Sequence, residues 1–168
     1  MSITMREAFG QTLQSMHNDK RLVVLDADLG SATKSLMFKQ VCPERYIDVG
    51  IAEQNMMGTA AGLAAAGKIP FVSTFAVFAT GRAFEQIRNS ICYPKLNVKI
   101  AATHAGLTVG EDGASHQSIE DISLMRTLPN MTVIVPADGI ETEKVIEFAA
   151  EYKGPCYIRL GRSSVPDL

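Results

Sequence analysis

Six short runs rich in valine and isoleucine, separated by longer stretches with helical spacing, leave this chain few folds to choose from. The runs are Leu22–Leu25, Tyr46–Val49, Phe71–Thr74, Val98–Thr103, Thr132–Val135 and Cys156–Leu160. Each holds four to six residues of near-continuous apolar character, the pattern of strands covered on both faces. The stretches Thr4–Met16, Ala32–Phe38, Ala52–Ala66, Val77–Ile91, Ser118–Leu128 and Ile140–Glu151 predict the covering helices. Such alternation predicts an α/β fold, a doubly wound parallel sheet with helices on both faces. With no repeat, low-complexity tract or internal linker, residues 1–168 read as a single domain large enough to bury a core.

Bulk properties exclude several classes of function. Apolar residues make up 46% of the chain and charged residues 20%, as in a soluble globular protein. A formal net charge of −2 argues against nucleic acid as a partner. The most apolar stretch, Met56 to Ala66, is mostly alanine and glycine and too short to span a membrane. MSITMREAFG carries acidic and polar residues where a signal peptide would have its apolar core. Cys42, Cys92 and Cys156 lie far apart, without metal-ligand spacing, and read as reduced thiols of a cytoplasmic protein.

In doubly wound sheets ligands gather at the carboxyl ends of the strands. That rule collects Asp26 and Asp28 after the first strand, Gly50 to Glu53 after the second, and Phe75 and Phe78 after the third. His104 and the segment GEDGASH follow the fourth, Asp138 the fifth, and Arg159 with Arg162 ends the last. Carboxylates, two of the three histidines, aromatics and arginines converge on one edge, a mixture that reads as an active-site rim.

Glu53 opens a helix whose next turns carry Gly58, Gly62 and Ala66 at four-residue spacing. Small residues so spaced let another backbone approach, so this helix is expected to lie against the sheet or a second subunit. Glu53 has two readings. It is a carboxylate favoured by the helix dipole, or a functional group in an apolar setting where a carboxylate is costly without a partner.

GIAEQNM followed by an Ala/Gly-rich helix, then STFAVF, then THAGLTVGEDGASHQSIEDISLMRTLPNMTVIVPAD, closely resembles the pyrimidine-binding domain of transketolases. It is most similar to the second chain of transketolases encoded as two chains. The resemblance runs from about Thr4 to Arg162. It is most specific from Gly110 to Asp138, where the acid–His pair, the LPN turn and the PAD turn keep order and spacing. It implies the thiamine-diphosphate-binding fold of the pyrimidine type.

The resemblance also assigns roles by position. Glu53 matches the glutamate that hydrogen-bonds N1′ of the cofactor's aminopyrimidine, favouring the tautomer that removes the thiazolium C2 proton. Phe75 and Phe78 match the aromatic pair lining the aminopyrimidine pocket, with Phe78 as the stacking ring; both also suit a plain core position after a strand. A third family aromatic falls on Gly81, and Arg82 is the neighbour placed to fill part of that side. His104, Asp112 and His116 match residues that meet the hydroxyl groups of ketose and aldose; a solvated loop position remains the other reading of Asp112. Arg162 and Arg6 match arginines that hold the substrate phosphate, although either also reads as a surface cation. Asp28 matches an acidic residue near the thiazolium. The family serine that helps with phosphate falls on Ala32, with Ser31 adjacent.

The family anchors the diphosphate through a metal held by a GDG motif and an asparagine in another domain. No GDG occurs here. The resemblance therefore places Mg2+ or Ca2+ on a diphosphate-binding partner subunit or domain, and no metal on this chain. The resemblance likewise implies a chain without the family's third domain. The resemblance thus implies a homodimeric chain, inactive alone, that shares thiamine diphosphate with its partner and acts on sugar phosphates. Deoxyxylulose-phosphate synthase has a related IAEQ segment but a different substrate loop, and the β-subunits of 2-oxo acid dehydrogenases match that loop less well. A non-catalytic assembly domain is the reading from another class, and the joint presence of Glu53, Phe78, Asp112 and His116 argues against it.

Overall fold

The computed structural model describes residues 3–166. Strands β1 (Leu22–Asp26), β2 (Tyr46–Asp48), β3 (Ile69–Phe75), β4 (Lys99–Thr103), β5 (Thr132–Ile134) and β6 (Cys156–Arg159) form one sheet in the order β2-β1-β3-β4-β6-β5. Every neighbouring pair is parallel. Parallel strands cannot be joined by tight hairpins, so each return must cross a face of the sheet. The crossings are made by α2 (Gly30–Thr33) with α3 (Leu36–Val41), by α4 (Glu53–Ala65), by the segment 78–92, by α6 (Asp121–Arg126) and by α7 (Gly139–Glu151), while α1 (Met5–Ser15) precedes the sheet.

Side chains alternate across each strand, and the core divides accordingly. Val23, Leu25, Val72, Ile100 and Ala102 meet α4, segment 78–92 and α6 in one cluster. Leu22, Val24, Phe71, Ala101 and Ile158 meet α1, α3 and α7 in the other. Each large side chain so buried contributes roughly 1.5–3 kcal/mol. Strands β1, β3 and β4 are buried throughout, whereas the edge strand β5 is half-buried, as edge position requires. Helix α1 starts on a reciprocal cap: Glu7 N–H donates to Thr4 Oγ1 at 3.2 Å and Thr4 N–H donates to Glu7 Oε2 at 3.2 Å.

Three helices depart from the pattern expected from sequence. Ala32–Phe38 is not continuous: Lys34 adopts φ +71°, splitting the stretch into α2 and α3. The split lets Thr33 and Ser35 turn their hydroxyls to Asp26. The Val77–Ile91 stretch is π-helical at Phe78–Arg82 and Ile87–Cys92, around a single α-helical turn, α5 (Phe84–Gln86). Buried Ala79, Ala83, Ile87 and Ile91 recur every four residues; an α-helix would rotate that row off the core, and the wider π turn holds it in place. The Ser118–Leu128 helix begins only at Asp121, because Ser118 pairs with Gly106 in an isolated bridge.

The small-residue stripe on α4 faces outward. Gly58, Gly62 and Ala66 are exposed, while Met56, Met57, Ala60 and Ala61 are buried. A side chain at Gly58 or Gly62 would meet nothing within 4 Å. The contact with the sheet left open by the sequence is therefore made by the other face of the helix.

Lys99 opens β4 fully buried, and its Nζ donates to the carbonyls of Tyr152 and Gly154 at 2.7 Å each. Burial pulls its ammonium down to about 8. Lys99→Met keeps the stem but strands both carbonyls, and is expected to cost about 1–3 kcal/mol in urea unfolding.

Candidate active site

The strand order reverses direction between β1 and β3, and doubly wound sheets open a crevice at such a point. A cleft of about 320 Å³ lies there, lined by Ala27, Asp28, Leu29, Ile51, Glu53, Phe78, Arg82 and His116. Asp28, Glu53, Phe78 and His116 are thus brought together from four separate stretches of chain.

Glu53 occupies the first turn of α4 and is 1% exposed. Its carboxylate accepts from Arg82 Nη1 at 2.8 Å, with a longer contact from Thr74 Oγ1 at 3.5 Å. The Arg82 guanidinium lies 4.5 Å from the centroid of the Phe78 ring. Asp28 stands at the exposed lip with φ +62°, its N–H donating to Asp48 Oδ1 at 3.1 Å.

Behind the cleft the rings are layered. Phe75 lies parallel to Phe78 at 6.0 Å between centroids and stacks on His104 at 3.8 Å. His116 meets Phe78 edge-on at 5.2 Å, and its Nδ1 lies 2.9 Å from Ser115 Oγ. Phe78 lines the cleft, while Phe75 is buried and supports it. The loop carrying His116 turns at Gly110 and Gly113, with φ of +93° and +72°.

Other residues singled out from sequence are not among those lining the cleft. Asp112 is exposed on the same loop. Arg162 packs against Gly110 and pairs with exposed Glu111 at 3.5 Å. Arg6 donates to the Ala32 carbonyl at 2.6 Å, and its Nε is buried without a partner among the described residues. Asp138 caps α7, accepting from Glu141 N–H at 2.8 Å. Arg159 turns inward to Asp121 Oδ2 at 2.8 Å, which also accepts from Tyr157 at 2.7 Å. Neither the Arg82–Glu53 pair nor the Arg159–Asp121 pair was anticipated. In both, the acid sits in the first turn of a helix, and that placement was the available signal. Among the described residues no group of three or more His, Cys, Asp or Glu side chains is arranged to hold a metal ion, and no helix is long and apolar enough to cross a membrane.

Fold and cleft define a class, a doubly wound α/β domain with an aromatic-walled, polar cleft at its switch point. The family model for the pyrimidine-binding domain of transketolase matches residues 1–167. A Methanocaldococcus jannaschii protein described as a transketolase C-terminal section is 58% identical over 159 residues, covering 94% of this chain and 50% of that protein. Human transketolase is 43% identical over 162 residues, covering 95% of this chain and 26% of the human one. Among solved structures, one described as a split-gene transketolase, inactive β4 tetramer, superposes with a TM-score of 0.88 at 61% identity, covering 99% of this chain and 54% of that one. The chain belongs to the transketolase pyrimidine-binding domain family, and it spans about half or less of these relatives' length.

His104 is buried, with φ +57°, and its Nδ1 lies 2.9 Å from Thr103 Oγ1. Burial, followed by the charges of Arg6, Arg162 and His116, pulls its imidazole from 6.5 down to about 4. Between those values the unfolded chain binds the proton and the folded chain does not, so this group makes stability rise with pH across that window. The gap corresponds to on the order of 3 kcal/mol. His104→Asn, which tolerates the left-handed backbone, should flatten the stability profile from pH 4 to 6.5 in urea titrations.

Proposed function

We propose that this chain is the pyrimidine-binding half of a thiamine-diphosphate-dependent transketolase that moves two-carbon ketol units between sugar phosphates. The observation that carries the reading is Glu53: a carboxylate 1% exposed, opening on a cleft beside the ring of Phe78. A flat heterocycle with a basic nitrogen fits that pair, since the carboxyl group meets the nitrogen and the aromatic ring meets its face. The family match and the 58% identical relative support the same cofactor.

In this reading Glu53 holds and exchanges the proton at the ring nitrogen, and its burial excludes competing water. Phe78 orients the ring, and Phe75 with His104 backs it. When bound, thiamine diphosphate supplies the carbanion chemistry at its thiazolium C2. His104, kept neutral, and His116 meet substrate hydroxyls, with Asp112 on the same loop and Asp28 at the lip. Arg162 and Arg6 form the cationic end for the substrate phosphate, a role supported by their combined field on His104. The diphosphate and its Mg2+ or Ca2+ belong to the partner subunit or domain. Three buried free thiols support a reducing, cytoplasmic setting.

Two measurements test this. Calorimetry on the chain alone should detect no tight magnesium-dependent binding of thiamine diphosphate, and the chain alone should lack transketolase activity. In the complex with a diphosphate-binding subunit, Glu53→Gln should slow exchange of the cofactor's C2 proton, followed by NMR, by about a hundredfold or more. An unchanged exchange rate removes Glu53 from the catalytic role.

Self-association through the outward stripe of α4 completes the reading. Gly62→Leu adds a side chain where the monomer has open space. The expected result is loss of the dimer in sedimentation, with an unchanged circular dichroism spectrum. A folded variant that stays dimeric places the interface elsewhere.

A further inference from the structure

The two contacts that a flat ring would use in the cleft are both taken by the chain itself. Arg82 Nη1 lies 2.8 Å from Glu53 Oε2, and the same guanidinium lies 4.5 Å from the centroid of Phe78. A guanidinium is planar, cationic and rich in donors, and it stacks on aromatic rings. Those are the properties by which a protonated aminopyrimidine would engage the same carboxylate and the same ring.

The pairing is asymmetric in a way that matters. The Glu53 side chain is 1% exposed and the Arg82 side chain 43% exposed. The carboxylate cannot leave the cleft, whereas the cation is already half in water and would regain its hydration by leaving altogether. Gln54, next to Glu53, donates through Nε2 to the Arg82 carbonyl at 3.2 Å, so the backbone of Arg82 is held independently of the contacts its side chain makes with Glu53 and Phe78. The residue before it, Gly81, faces open space, and the turn Phe78–Arg82 is π-helical, a local geometry common at functional sites.

We propose that Arg82 is a placeholder for the aminopyrimidine. Without cofactor it neutralises the buried Glu53 and covers Phe78; on cofactor entry it swings outward and yields both contacts to the ring. This inference rests on the reading of the cleft given above. Arg82 thereby stabilises the cofactor-free subunit and lowers its apparent affinity for cofactor, because binding must draw on the population in which the latch is open. If the latched form holds about 90% of molecules, the apparent affinity falls about tenfold.

The test uses the complex of this chain with a diphosphate-binding subunit. Thiamine diphosphate is titrated by calorimetry in saturating magnesium, and the cofactor-free complexes are melted in parallel. Arg82→Gln should lower the cofactor-free melting temperature and bind thiamine diphosphate about tenfold more tightly than wild type. Arg82→Lys keeps a cation on Glu53 without the flat face. It should shift affinity the same way by less, and it serves if the glutamine variant does not fold. If the wild-type complex binds cofactor and neither variant binds more tightly, the placeholder is overturned and the reading of the cleft stands. A wild-type complex that binds no thiamine diphosphate overturns that reading, and the placeholder with it.

Discussion

All six strands run the same way, and everything else in this molecule depends on that. A parallel sheet sends every connection over a face and brings every strand's carboxyl end to one edge. Because β1 and β3 send the chain to opposite faces, their following loops part and leave the cleft between them. The geometry gathers Asp28, Glu53, Phe78 and His116 without any of them being near another in sequence.

The same edge concentrates buried polar groups that draw on specific partners. Asp26 accepts from Leu29 N–H at 2.6 Å, from Ser35 at 2.8 Å and from Thr33 at 3.1 Å, and burial still pushes its carboxyl upward. Asp121 is held at Oδ2 by Tyr157 and Arg159, while its Oδ1 is buried without a partner among the described residues. Removing one member of such a set leaves the rest desolvated and unpaired, which costs more than the contact contributes. Asp26 accepts from Leu29 N–H and so steadies the loop of Asp28, and Asp121 ties the first turn of α6 to β6. Glu53 differs from both: its main partner is an arginine whose side chain is 43% exposed.

Much of the fold was legible from residue order. All six strands lie where Val/Ile runs placed them, within one or two residues at each end. Strand β3 begins earlier than expected because Pro70, which lacks a backbone donor, sits in register with β1 before the pairing with β4 begins at Phe71. Helices were less legible where tertiary demands overrode periodicity. The break at Lys34 serves the hydroxyls on Asp26, and the π turns serve a four-residue row of buried side chains.

The sequence by itself determined the sheet, its two covered faces and the set of residues delivered to its carboxyl edge. The alternation of strand-like and helix-like stretches is local to the chain, and that order favours parallel strands joined by crossovers. Only the tertiary structure decided which delivered residues meet. It put Phe78 on the cleft and Phe75 behind it, turned Arg159 inward to Asp121, exposed the glycine stripe of α4, and laid Arg82 between Glu53 and Phe78. These choices depend on crossover handedness, turn geometry and side-chain rotamers. None of them is written in the spacing of residues along the chain.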